Sequence, residues 1–178
     1  TLTLNPGACP VLDGQGITLI APEGKRHFNI NGARTIQNIT LACGKNTNST
    51  SAGGSIAAQG TGTLVLRNVQ FYRNQSYGHG GALATNGIKV ESDAACFYDN
   101  KARKGGAVYL EDTQSANFQN TDFKDNATPG CGDGIVDDND GLFGDFGEEC
   151  DDGDRRNHNA CVGACQNARC GDGYLWET

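Results

Sequence analysis

Apolar residues in this chain arrive in short runs broken by Gly and Asn, never at sustained helical spacing. In Thr63-Leu-Val-Leu-Arg-Asn-Val-Gln-Phe71 the β-formers occupy too few positions for a helix, and the run predicts a strand. The pattern then recurs. Phe71-x-x-Asn74, Phe97-x-x-Asn100 and Phe123-x-x-Asn126 stand 26 residues apart. A second motif interleaves with the first: Gly53-Gly54-Ser55-Ile56, Gly80-Gly81-Ala82-Leu83 and Gly105-Gly106-Ala107-Val108 follow one another at 27 and 25 residues. A period held by two interleaved motifs is the sign of a solenoid. Three short strands and three turns fill such a unit at ~3.3 Å per residue, so each period predicts one coil.

The expected fold class is therefore all-β, a right-handed parallel β-helix of about four to five coils over 1–128, followed by a small disulfide-rich module. Stacking the coils in register places Phe71, Phe97 and Phe123 above one another inside, together with Leu66, Leu83 and Val108. It places Asn74, Asn100 and Asn126 at a bend where side-chain amides bond along the stack. The paired glycines supply a tight corner that needs positive φ; the first pair departs from the pattern with Ser55 in place of alanine. The frame extends backward. Asn38-Ile-Thr-Leu41 matches Asn68-Val-Gln-Phe71 at a distance of 30, which puts an insertion of about four residues within 45–51, and Leu12 to Ile20 reads as an earlier, degenerate coil. A Gly-rich sandwich is the competing fold, but it has no reason to keep a 26-residue period twice over.

Composition changes at Thr128-Pro129-Gly130. Beyond it, at 129–178, Cys131, Cys150, Cys161, Cys165 and Cys170 crowd into a stretch poor in aliphatic residues. No Cys-x-x-Cys pair occurs, and with only His27, His79 and His158 available no four-ligand zinc set can be assembled, which favours disulfides and an oxidising compartment. A unit of about 40 residues with so few aliphatics needs cross-links to fold. At least two disulfides are expected within 131–170, their connectivity open, with Cys170 belonging to the next unit. In the first domain Cys9 and Cys43 are the expected pair. Asp133, Asp137, Asn139, Asp151 and Asp152 form a candidate calcium set, with solvated acidic turns as the competing reading and no EF-hand spacing among them. No other cofactor is expected.

The net charge of −7 argues against nucleic acid as a partner. No apolar run approaches the ~20 residues of a membrane span. The lack of methionine, and the Cys-Gly-Asp-Gly motif that restarts at Cys170 shortly before Thr178, lead us to expect an internal piece of something longer.

The two helix motifs, over about 53–126, resemble the repeat of chlamydial polymorphic outer-membrane proteins and related eukaryotic surface proteins. That resemblance implies a surface-exposed β-helical stalk and no particular ligand. Cys131-Gly-Asp-Gly134, Gly147-Glu-Glu-Cys150-Asp-Asp-Gly153, Cys161-x-x-x-Cys165 and Cys170-Gly-Asp-Gly173 resemble the cysteine-rich repeat first noted in myxobacterial proteins. The combination is similar to that of mastigoneme-like flagellar-hair proteins. It implies an extracellular, cell-surface structural filament or sheath component, whose partners are other copies or segments of the same large protein and covalent glycans. An adhesin-type surface protein is the alternative, and a polysaccharide-active enzyme the third.

Catalysis on a parallel β-helix needs carboxylates side by side on adjacent coils. One period away, Glu91 meets Val65 and Asn117, and Asp93 meets Arg67 and Gln119; only Asp99 and Asp125 stack, with Arg73 next in line, as a charge ladder at a turn. His79 reads as a lone turn histidine. The expectation is no enzyme and no catalytic residue. Asn38, Asn48, Asn74 and Asn126 head N-x-S/T sequons. Asn74 and Asn126 are the repeat asparagines, where burial by the fold would block modification, so Asn48, in the inserted loop, is the best acceptor.

Overall fold

The computed structural model describes residues 1–7 and 9–128, and beyond these only the strand positions 161–162 and 166–167. The chain divides into two compact units, Thr1–Thr128 and Pro129–Thr178. In the second, β16 (Cys161–Val162) pairs antiparallel with β17 (Gln166–Asn167). The five cysteines and the candidate calcium set of this unit otherwise lie outside the described residues.

The first unit is a parallel β-solenoid of five coils. The first coil contains β1 (Leu2–Leu4) and β2 (Val11–Ile20), and the second β3 (Phe28–Asn31), β4 (Arg34–Ala42) and β5 (Lys45–Asn46). The third contains β6 (Ile56–Gln59), β7 (Thr63–Tyr72) and β8 (Gln75–His79). The fourth has β9 (Leu83–Asn86), β10 (Lys89–Asp93), β11 (Cys96–Tyr98) and β12 (Lys101–Lys104), and the fifth β13 (Val108–Glu111), β14 (Ala116–Gln119) and β15 (Asp122–Lys124). Corresponding strands stack into three sheets: β1-β3-β6-β9-β13, then β2-β4-β7 continued by β10 with β11 and by β14 with β15, and finally β5-β8-β12. Leu41, Phe71, Phe97 and Phe123 are register partners in sequence, as are Phe28, Ile56, Leu83 and Val108. Lys45 pairs with Gln75, 30 residues on, whereas Ala52 bridges His79, 27 residues on. The extra length of the second coil is thus three residues between Asn46 and Ala52.

Alternation within each strand sends every second side chain inward. Phe71, Phe97, Leu66 and Leu83 are fully buried, and the rings of Phe71 and Phe97 stack at 4.7 Å. Phe123 continues the column, 4.8 Å from Phe97 and parallel to it, yet it is 50% exposed. Its inward direction is as expected, but its burial, also expected, is incomplete: it belongs to the last described coil, and no described strand covers it. Val108, on the same coil, is half-buried for the same reason.

The corners have two separate glycine requirements. Gly53, Gly80 and Gly105 take positive φ (79°, 63° and 62°), as the tight corner demands. Their neighbours do not. A Cβ on Gly54 would collide with the carbonyl oxygen of Gly81, and one on Gly81 with that of Gly106, so the second glycine is needed for the approach of the next coil. Gly81→Ala is expected to cost about 1–3 kcal/mol through this overpacking, read as a lowered urea midpoint.

The Phe-x-x-Asn motif makes another corner, and its bend lies one residue before the asparagine: Arg73, Asp99 and Asp125 are left-handed (φ 52°, 54° and 53°). Asn74 and Asn100 then turn inward and are fully buried. Asn74 N–H and Nδ2 donate to Asn100 Oδ1 (both 3.0 Å), and Asn100 N–H and Nδ2 donate to Asn126 Oδ1 (3.1 and 2.8 Å). The Nδ2 groups of Asn74, Asn100 and Asn126 donate to the carbonyls of Leu41, Phe71 and Phe97 respectively, which closes each corner. The ladder starts at Gly44 N–H, which donates to Asn74 Oδ1 at 2.8 Å.

His27 occupies the interior above it. Its Nε2 faces the carbonyl oxygen of Leu19 at 3.0 Å and so carries the proton, leaving Nδ1 to accept from Ser55 Oγ at 2.8 Å. Ser55 therefore departs from alanine because it partners a buried histidine. Burial pushes His27 below its ordinary value of 6.5, against the pull of the Leu19 and Ala42 carbonyls. On acidification the unfolded chain binds this proton first. The contribution of His27 to stability is full above pH 6.5 and declines as pH falls from there through the folded value. Asp13, held below 3.8 chiefly by the Gln37 amide, acts only in a lower window. The fall in stability between pH 7 and 5 is expected to be smaller in His27→Gln than in the parent, measured by urea titrations at both values.

The expected Cys9–Cys43 disulfide is absent; Cys9, Cys43 and Cys96 are free. Cys9 precedes β2 and lies beside the start of β4, where its carbonyl accepts from Arg34 Nη1 and where Pro10 O accepts from Thr35 N–H. Cys43 follows the other end of that nine-residue strand. Even with the bend at Asn38 (φ 52°), roughly 20 Å separates the two ends at strand rise, against the ~7 Å limit of a disulfide.

Candidate functional site

The acids of the shaft meet no second carboxylate on the strand faces. Glu91 lies between Val65 and Asn117, and Asp93 between Arg67 and Gln119, as their spacing anticipated. Arg73 Nε donates to Asp99 Oδ2 at 2.9 Å on the exposed corner, and this bond raises the Arg73 pKa above its usual value. Tyr72 and Tyr98 stack beside it at 5.5 Å. Among the described residues no group of three or more His, Cys, Asp or Glu side chains could hold a metal ion. No described helix is long and apolar enough to cross a membrane. His79 is not alone: its ring packs on Tyr109 at 4.3 Å.

The four sequons part company. Asn74 is fully buried with its amide spent on Leu41 and Asn100, and Asn126 Nδ2 is spent on Phe97. Asn38 is left-handed and bonded to Asp13 and Asn68. Asn48 is exposed in the inserted loop, and its Oδ1 accepts from Thr50 N–H at 2.9 Å and from Thr50 Oγ1 at 2.7 Å, bonds that leave Nδ2 uninvolved.

A concavity lies elsewhere, on the outer face of the sheet β3-β6-β9-β13. It is a groove of about 460 Å³. Its floor is small because the outward residues of the two central strands are Ala57 and Ala84, register partners of each other. Arg26 builds one wall: Nη1 donates to Ala52 O and Nη2 to Ser51 Oγ, each at 2.7 Å, tying the end of the inserted loop to the sheet. Tyr109 closes the groove at the fifth coil. The opposite wall is a polar rail, Asn31, Gln59, Asn86 and Glu111, in consecutive register. Gln59 Nε2 donates to Asn31 Oδ1 (3.0 Å), Asn31 Nδ2 to Asn5 Oδ1 (2.9 Å), and Asn86 Nδ2 to Glu111 Oε2 (2.9 Å).

Sequence reasoning missed this groove. Its residues fall at outward positions, which the period does not constrain. The available signal was the pair Ala57 and Ala84 at positions where neighbouring coils carry Asn29 and Tyr109. No family model, no curated protein and no solved structure matches this chain.

Proposed function

We propose that this chain is a segment of an extracellular structural protein, a stiff shaft within a glycosylated surface filament or sheath. The observation that carries this reading is coil-on-coil repetition, with apolar residues exposed on the first and last described coils. Leu2, Ile17 and Ile20 are 55%, 56% and 66% exposed on the first coil, and Phe123 is half exposed on the last. Such a face, with its row of unpaired backbone groups, complements another coil of the same kind. That coil would come from a neighbouring segment of the same large protein or from another copy, and repeating the contact propagates a fibre. The shaft shows no paired carboxylates on its strand faces, which favours a structural role over a glycan-cleaving one.

The test is sedimentation and negative-stain microscopy of the full chain secreted from a eukaryotic host. Elongated end-to-end oligomers support the reading; a monomer at every concentration contradicts it. Asn48 should carry the glycan, so peptide mass spectrometry is expected to find Asn48 occupied and Asn74 unmodified.

The second reading, an adhesin-type surface protein, is favoured by one specific observation. The inserted loop, 47–51, leads into Ala52, and Ser51 and Ala52 form a wall of the groove.

A further inference from the structure

The polar rail has a break at its centre. Gln59 sends its amide hydrogen toward the first coil and Asn86 sends its own toward the fifth, so the rail diverges between two side chains that are register neighbours. Among the described residues nothing donates to Gln59 Oε1 or to Asn86 Oδ1, and the two amides are not bonded to each other. Two adjacent acceptors at the middle of a groove call for donors from outside the protein.

The rest of the lining narrows the donor. Arg26 and Glu111 are the charged residues of the lining, each hydrogen-bonded to neutral groups, and their opposite formal charges cancel, so the groove suits a neutral partner. Ala57, Ala84 and the Tyr109 ring give a shallow apolar strip beside the rail, suited to the C–H face of a flat ring. The main-chain groups of these strands are spent on their own parallel ladder, so an extended peptide laid on this face would leave its amides unmatched. The groove crosses three inter-strand steps from β3 to β13, about 14 Å at the spacing of a sheet, which is room for two to three sugar rings.

We propose that this groove binds a neutral linear oligosaccharide, whose hydroxyl groups donate to Gln59 and Asn86 and whose ring face lies on Ala57, Ala84 and Tyr109. The proposal rests on the second of the two readings above, in that it presumes a partner at this groove, and it is independent of filament assembly. A glycan so placed explains why the loop wall is fastened by a half-buried arginine: the wall would hold the chain against the rail.

The test is calorimetric titration of the full chain with cellohexaose, chitohexaose and mannohexaose. At least one is expected to bind with a Kd below about 1 mM. Gln59→Leu with Asn86→Leu, and separately Tyr109→Ala, should each weaken it at least about tenfold, whereas Lys89→Ala, on another sheet, should leave it unchanged. Melting curves of all variants show whether the shaft is intact, and Ala57→Phe, which fills the floor, provides a second way to block the groove. Absence of binding by all three hexasaccharides overturns the proposal, as does binding that survives both the double variant and Ala57→Phe. An unstructured peptide library captured at the groove in place of the glycans would remove the ligand class while leaving a binding role; capture of neither removes both.

Discussion

Phe97→Ala is expected to lower the stability of the shaft by about 3–5 kcal/mol, the range for deleting a large aromatic from a packed core. Phe97 is fully buried between two parallel rings, Phe71 at 4.7 Å and Phe123 at 4.8 Å, and touches the edge of Phe118 at 6.3 Å. Its neighbours are held by their own strands and cannot close the void without breaking register. The same change at Phe123 should cost only about 1 kcal/mol, because half of that side chain is already in water. Urea unfolding of the full chain and both variants gives the two values. Equal losses would mean that the last coil is covered in solution.

Asn100→Ala should be nearly as severe, at about 3 kcal/mol, for a different reason. Its side chain accepts from Asn74 N–H and Nδ2 and donates to Phe71 O and Asn126 Oδ1, all in the interior of the corner. Truncation leaves a buried N–H and a buried carbonyl unpaired, each costing about 1–3 kcal/mol. Asn100→Asp should not rescue it, since a carboxylate keeps the acceptor and loses the donor that faces Phe71. Amide exchange at residue 74 should accelerate in both variants. Unchanged exchange there would mean that the ladder does not hold the corner.

These two residues also mark how far the fold was legible. A solenoid repeats its inward side chains because each coil faces the same interior, so Phe71, Phe97 and Asn100 announced both the period and their own direction. The insertion was visible for the same reason, as a spacing of 30 between Leu41 and Phe71 that relaxes to 27 by Ala52. What the period does not constrain stayed hidden. Phe123 obeys the repeat and is nonetheless half exposed, since burial depends on a neighbour that the repeat does not specify. Ser55 looked like decay of the Gly-Gly-Ala motif until His27, 28 residues earlier, proved to be its partner. Cys9 and Cys43 sit on adjacent coils, yet at opposite ends of the paired strands β2 and β4, a distinction that needs the register of β2 on β4. The groove depends on outward side chains from separate coils, and on Arg26 pinning a loop that begins 21 residues later; no local pattern joins them.

The claim on which everything else rests is that residues 26 apart stack directly on one another. Nuclear Overhauser contacts between phenylalanine rings, in the full chain with selectively labelled phenylalanine, test it most directly. Strong contacts from Phe71 to Phe97 and from Phe97 to Phe123 are expected, with none from Phe71 to Phe123, which lie two coils apart. A folded chain that lacks the Phe71–Phe97 contact would contradict the solenoid and the groove built on it.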